Sequence, residues 1–414
     1  MNNLYKLTNF LKEYLPMFFL LCFSGNPFVT HQSYSKSLLV GYTLFFLIYT
    51  LFIIDLQTLK RILVIFFGLS FFIFIIIFFQ KTILGFVSYP GVFGYILKII
   101  LGLLTLHFYQ YKKIDFIDSY IKTLAFLALI SIPFFILNQF TFIGLESENG
   151  VTRSLFIHTS IKSDPDSLFN RNCGMFWEPG AFSGYLLLAL VFIALKNRKF
   201  QIGPYGKSIF WILTALITTI STTGFIILGI IMILYAWQNY RWGRIIVIPF
   251  VILVIFFAYS NLDFMKEKIE KQFSKATEMD ENDVSTTRFG ALKMDLQYIK
   301  SQPLIGNGLH VKTRFRFHPE IKGDIGHGNG MSNFLANWGI PFFTLWIYCV
   351  YKFTRNISHS LTTSLAALFI IILILQGEQF LNFPLFSSFF IMPFIYQNIL
   401  SQQNKIHIIK SFID

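Results

Sequence analysis

The sequence predicts an all-α polytopic membrane protein, and three observations carry that prediction. Of 414 residues, 54% are hydrophobic and only 13% charged, where a soluble domain has about a quarter charged. Phenylalanine alone supplies 52 residues, more than one water-soluble core of this size can hide. Apolar runs close to the roughly 20 residues that cross a hydrocarbon layer of about 30 Å recur along the chain. Lipid offers no water to backbone N–H and C=O groups, so such runs must be helical. A transmembrane β-barrel would show alternating segments of about ten residues. Phe71-Phe72-Ile73-Phe74-Ile75-Ile76-Ile77 does not alternate.

Twelve spans follow from the runs, near residues 11–25, 37–54, 61–79, 90–108, 118–139, 180–196, 206–219, 222–238, 244–260, 333–352, 360–378 and 384–400. The stretch 206–238 is one apolar run broken by Thr218-Thr219-Ile220-Ser221-Thr222-Thr223-Gly224, which reads as a tight turn or a polar re-entrant point at the outer face. Orientation follows from Lys and Arg, which favour cytoplasmic loops. With the N-terminus inside, Lys60 and Arg61, Lys112 and Lys113, Lys196 to Lys207, Arg241 and Arg244, Lys352 and Arg355 all fall on the cytoplasmic side. The short outer loops hold little beyond Lys36 and Lys81. Both termini are therefore expected in the cytoplasm. Topology accounts for the net charge of +13 and nucleic acid is not needed to explain it.

This assignment divides the chain into five segments. Residues 1–140 hold helices one to five, 141–179 a first periplasmic loop and 180–260 helices six to nine. Residues 261–332 form a large periplasmic loop, and 333–414 the last three helices and a cytoplasmic tail. In the large loop Leu262, Met265, Ile269 and Phe273 have helical spacing. A second amphipathic helix is expected from about Thr286 to Ser301, with Phe289, Leu292, Leu296 and Ile299 on one side. Pro303 ends it, and Gly306 and Gly308 mark a turn. Cys22, Cys173 and Cys349 are too scattered for a disulfide framework or a zinc site. No cleavable signal peptide is evident in the first apolar run. With no metal-ligand cluster, Walker loop or dinucleotide fingerprint, no metal or cofactor is implied.

Chemistry gathers at the outer ends of the spans, in three constellations. The first is Asn170-Arg171-Asn172-Cys173-Gly174-Met175-Phe176-Trp177-Glu178-Pro179-Gly180. A Glu so close to hydrocarbon is costly unless paired or functional, so Arg171 and Glu178 are either an interfacial ion pair or part of a site. The second is Ser285-Thr286-Thr287-Arg288-Phe289-Gly290, followed by Pro303-Leu304-Ile305-Gly306-Asn307-Gly308. Arg288 opens a helix, where backbone N–H groups also favour an anion, or it is merely solvated. The third runs from His327 through Gly328-Asn329-Gly330-Met331-Ser332-Asn333 to Gly339-Ile340. His is the side chain most readily used as base or acid near neutral pH, while Ser332 and Asn333 could simply cap a helix. His310, Arg314, Arg316 and His318 lie close by, as a basic rim for an anionic headgroup or as a solvated face.

At these motifs the sequence resembles the bacterial O-antigen polymerase and O-antigen ligase superfamily. The matching elements are Arg171…Gly174…Glu178-Pro179, then Arg288 with Pro303-Leu304-Ile305-Gly306-Asn307-Gly308, then His327…Asn333…Leu335…Gly339-Ile340. One departure is that His327 is followed by Gly328-Asn329-Gly330, where ligases often place Asn directly after the His. The resemblance implies glycosyl transfer from undecaprenyl diphosphate at the outer face of the bacterial inner membrane. Its partners would be the lipid-linked oligosaccharide and the bilayer, with room for a chain-length regulator. A polymerase passes the growing glycan to the next lipid-linked repeat unit, whereas a ligase passes the finished glycan to lipid A core. The Phe-rich composition resembles the polymerase branch.

Diphosphate leaves with developing negative charge, and stabilising it is the main catalytic task. Arg171 and Arg288 are the candidates, because a planar guanidinium matches phosphate oxygens bidentately and stays charged. Arg314, Arg316 and His310 would add to the diphosphate-binding set. His327 is the first candidate for the base that deprotonates the acceptor hydroxyl, and Glu178 is either a second candidate or an orienting group. A lipid-linked oligosaccharide flippase is the alternative from another class. Transporters carry polar residues and broken helices near the midplane, whereas here the middles of the spans are nearly all Phe, Leu and Ile.

Overall fold

A computed structural model describes residues 2–30, 33–54, 56–141, 143–147, 151–162, 169–240, 245, 249, 288–318 and 328–395. Apolar runs become helices in chain order. The first are α1 (Asn2–Phe23), the one-turn α2 (Pro27–Thr30), α3 (Ser35–Leu51), α4 (Leu56–Leu84), α5 (Tyr89–Tyr111) and α6 (Phe116–Phe140). Next come α7 (Pro179–Lys196), α8 (Gly206–Thr218) and α9 (Thr222–Asn239). They are followed by α10 (Arg288–Ser301), the short α11 (Val311–Arg314), α12 (Gly330–Trp338), α13 (Ile340–Ser358), α14 (Leu361–Leu375) and the one-turn α15 (Pro384–Ser387). Among the described residues five helices are long and apolar enough to cross a membrane: Leu59–Leu84 within α4, then α5, α6, α7 and α9. The chain is a helical membrane protein.

Two helices show what the surrounding solvent must be. On α4 the residues Val64, Phe67, Phe71, Phe74 and Phe78 all stand exposed at helical spacing. Such a continuous aromatic stripe would be a liability in water and is matched by lipid. By contrast α7 is buried on all sides, from Ala181 to Leu195. A helix that is apolar all round belongs in the core, and α7 packs against α6, α8, α9, α13 and α14. Its N-terminal tip therefore marks the middle of one end of the bundle.

Four expectations need correction. The chain is not all-α: residues of the first loop form a four-stranded antiparallel sheet of β1 (Leu145–Glu146), β2 (Thr152–Leu155), β3 (His158–Lys162) and β4 (Asn170–Asn172), in that order. Leu155 pairs with His158 across a two-residue hairpin. Thr and Ile in this segment favour extended backbone, and its polarity keeps it out of the hydrocarbon.

The span near 333–352 is two helices, α12 and α13, parted at Gly339. There φ is +83° and an added Cβ would lie 2.5 Å from the Leu304 carbonyl oxygen. The backbone groups freed by the break are satisfied by the turn after α10: Asn307 N donates to the Ala336 carbonyl at 2.7 Å, Gly308 N to Asn337 at 3.0 Å and Ile340 N to Pro303 at 2.8 Å. Gln80 of α4 adds bonds to the Ile305 (2.6 Å) and Asn337 (3.0 Å) carbonyls. A break inside a bundle needs this complete satisfaction. The span near 384–400 likewise begins as α15 and a 3₁₀ turn, Ser388–Phe390, not as one continuous helix.

On α10 the packed face is also not the expected one. Ala291, Met294, Asp295 and Tyr298 are buried, while Phe289 and Leu296 are exposed. The buried ion pair described below fixes this rotation. The expected span near 244–260, but for residues 245 and 249, and the helix near Leu262 to Phe273 lie outside the described residues.

Candidate active site

The site is assembled where the apolar run 206–238 breaks. α8 ends at Thr218 and α9 starts at Thr222, so the polar heptad forms a tight turn. Ser221 caps α9, its hydroxyl accepting from Gly224 N at 3.2 Å and from the Ser183 hydroxyl of α7 at 3.2 Å. Ile220 is forced to φ +47°, a left-handed conformation that a β-branched residue seldom adopts and that costs on the order of 1–3 kcal/mol. The neighbouring contacts hold it there.

Two arginines from distant parts of the chain converge on this turn. Arg171 leaves β4 beside Asn172, whose amide anchors the strand to Ser131 (3.0 Å) and Thr218 (2.8 Å). The Arg171 guanidinium donates from Nε to the Thr219 carbonyl at 3.3 Å and from Nη2 to the Ile220 carbonyl at 3.0 Å. Arg288, at the start of α10, donates from Nη1 to the Thr223 hydroxyl. Its Nη2 lies 3.7 Å from Oε1 of Glu378, in the turn after α14. One polar turn thus presents two guanidinium groups.

Electrostatics tie the set together. Burial lowers the Arg171 pKa from its ordinary value, and Arg288 pushes the same way, while Cys173, Glu178 and Glu378 oppose the shift. Guanidinium stays protonated throughout. Glu178 is the N-cap of α7, extended and exposed, with Pro179 next at the position where its missing N–H costs nothing. No ion pair joins Glu178 to Arg171, so the simple interfacial pair is not what holds the loop. An anion reaching this end of α7 would meet Arg171, Arg288 and the N-terminus of α9, whose dipole adds positive potential.

Glu378 was not singled out in the sequence. The signal was there: it ends the apolar run of α14, and a carboxylate beside hydrocarbon is costly unless paired. Gly180 makes room for it, since an added Cβ would lie 2.4 Å from Glu378 Oε1 and 3.6 Å from Arg288 Nη2.

The other candidates are placed elsewhere. Arg314 is not on an exposed rim. It is buried, ion-paired with Asp295 of α10, and bonded to Asn333 at 3.1 Å, while Ser332 donates to Asp295 at 2.6 Å. Its guanidinium also lies over the Tyr298 ring, 4.9 Å from the centroid. His310 is the N-cap of α11, its Nδ1 accepting from Lys312 N at 3.2 Å and its ring stacked on Phe86. Arg316 is exposed, over the Phe317 ring. His327 lies outside the described residues. Just beyond it, Asn329 caps α12, accepting from Ser332 N at 3.1 Å, and bonds to Gln376 at 2.8 Å.

Residues 208–347 match the O-antigen ligase family model. The match supports the O-antigen polymerase and ligase superfamily for this chain. It takes in α8, the turn, α9, Arg288, the Arg314–Asp295 pair and the break at Gly339, and it leaves Arg171, Glu178 and Glu378 outside. No curated protein and no solved structure matches the chain.

Proposed function

We propose that this protein transfers a glycan from undecaprenyl diphosphate to an acceptor hydroxyl at the outer face of the inner membrane, and that the acceptor is the next lipid-linked repeat unit. The observation that carries this reading is the convergence of Arg171 and Arg288 on one turn, Ile220 to Thr223. Their guanidinium groups take the diphosphate oxygens as the C1–O bond breaks, so the leaving group departs as a stabilised anion. Glu378 positions Arg288. His327 is the base that accepts the acceptor proton, with Glu178 as the orienting carboxylate. Attack in one displacement inverts the anomeric centre.

Ligation to lipid A core is the second reading, favoured by the description of the matching family as an O-antigen ligase. Arg316 and His310 enter neither scheme directly, and Arg314 serves the scaffold.

Gel analysis of surface polysaccharide from a deletion strain separates these readings. Lipid A core carrying one repeat unit is the expected result. Lipid-linked polymer with none on core would make the protein a ligase. Single lipid-linked units retained in the cytoplasm would make it a flippase.

A further inference from the structure

A cavity with mostly apolar walls and a cationic edge lies apart from the arginine turn. It measures about 330 Å³ and lies between the start of α4, the end of α5 and the segment after α15. Lys60 and Arg61 stand at its edge, His107 and Gln110 face it from α5, and Val64, Ile65, Leu103 and Phe394 make the apolar remainder. Lys60 and Arg61 are exposed, and neither pairs with a carboxylate among the described residues. Lys352 adds a third cation, 5.1 Å above the Phe394 ring.

Position decides what this cavity meets. Gln80, near the other end of α4, bonds to the turn after α10. Twenty residues of helix separate it from Lys60, about 30 Å at 1.5 Å per residue, which is the thickness of the hydrocarbon layer. The cavity therefore opens at the opposite face of the bundle. There it combines a cationic edge at headgroup depth with an apolar channel that continues into the exposed stripe of α4.

We infer that this cavity seats an anionic glycerophospholipid, its phosphate on Lys60 and Arg61 and its acyl chains along Val64, Ile65 and Leu103. Basic clusters beside spanning helices attract anionic headgroups, each Lys or Arg contributing several-fold to affinity. The inference is independent of the glycosyl-transfer reading, because no residue is shared between the two places and the cavity lies outside the family match.

Full-length protein purified in mild detergent and mixed with phosphatidylglycerol and phosphatidylethanolamine provides the test, read as retained lipid by native mass spectrometry. Wild type should retain phosphatidylglycerol about tenfold over phosphatidylethanolamine. Lys60→Gln with Arg61→Gln should bring the ratio close to one. Val64→Trp, which fills the mouth from an exposed position and leaves the charges, should lower retention of both lipids. Lys112→Gln with Lys113→Gln, cations at the same face that do not line the cavity, should leave the ratio unchanged. Three results would overturn the inference: equal retention of the two lipids by wild type, an equal loss in the Lys112/Lys113 control, or a polyprenyl phosphate displacing phosphatidylglycerol at matched concentration.

Discussion

Two arginine–carboxylate pairs, each with one member on α10, have opposite characters. Arg314 and Asp295 are closed: their side chains are 4% and 0% exposed, Asn333 accepts from Arg314 and Ser332 donates to Asp295. Arg288 and Glu378 are open: the separation is 3.7 Å and the exposures are 24% and 11%. A closed pair is shut away from an arriving ligand by its burial, and its charges are already matched to each other. An open pair keeps guanidinium donors for an arriving anion. Position in a motif does not separate the two, because both arginines lie among conspicuous polar clusters. Burial separates them, and under the proposed function it puts Arg314 in the scaffold and Arg288 at the diphosphate.

Removing one member of each pair should therefore fail in different ways. The largest effect is expected for Arg314→Ala, which strands the buried Asp295 charge at a cost of about 3–5 kcal/mol. Protein recovered from membranes should fall sharply, and the thermal midpoint in detergent with it. Replacing both partners by apolar residues, Arg314→Met with Asp295→Leu, should recover much of the loss, because no charge is then left alone. Failure of the double variant to recover any stability would mean that Asn333 and Ser332 depend on the charges themselves.

Arg288→Ala should do the reverse, with normal protein level and activity down by a factor of about a hundred to a thousand, the scale of losing one preorganised donor at a developing anion. Arg288→Lys should rescue little, since an ammonium cannot reproduce the two-pronged contact. Transfer from a purified lipid-linked repeat unit measures both. Full activity in the Lys variant would reduce Arg288 to a generic positive charge.

The sequence made the arginines legible because charge beside hydrocarbon is conspicuous. It did not reveal which carboxylate Arg288 meets. Glu378 lies 90 residues further on, and only tertiary packing brings the end of α14 to the start of α10. The tight turn at Thr218 to Gly224 was readable from its Thr and Ser residues within an apolar run. The break at Gly339 was hidden, because Phe334 to Trp338 and Ile340 to Val350 are apolar enough to read as one span. The sheet escaped for a different reason. Strands of two to five residues leave little periodicity, and a loop of mixed polarity carries no strong alternative signal.

That sheet supports Arg171 and has a pH-sensitive point of its own. His158 of β3 is buried against Phe134, and its ring nitrogens have no hydrogen-bond partner among the described residues. Burial pushes its pKa down to about 4 from 6.5. The folded state thus favours neutral imidazole. The stability this represents is present in full above about pH 6.5 and is lost as pH falls toward 4, because the unfolded chain takes up the proton first. At pH 5 the loss is about 2 kcal/mol, from about 1.5 pKa units at 1.36 kcal/mol each. Thermal unfolding in detergent at pH 7 and pH 5 should show it, and His158→Phe should flatten the difference. If the acid loss persists undiminished in His158→Phe, other groups produce it.

The smallest expected effect tests the open pair most directly. Gly180 is in the first turn of α7, and a methyl group there would fall 2.4 Å from Glu378 Oε1. That atom is the end of a flexible side chain, so the carboxylate should swing away while α7 stays in place. Stability should be unchanged or slightly higher, because Ala is favoured over Gly in a helix by up to about 1 kcal/mol. Transfer activity should nevertheless fall about tenfold, since Arg288 loses the group that aims it at the diphosphate. A Glu378→Ala change should cost about the same, because it removes the same aiming contact. The double variant, Gly180→Ala with Glu378→Ala, should then be no worse than Glu378→Ala alone, as the methyl group has nothing left to displace. Changes that act on one contact are non-additive in this way, whereas independent sites add. Additive losses in the double variant would show that Gly180 acts on the site by a route other than Glu378, and the open pair would lose its positioning role.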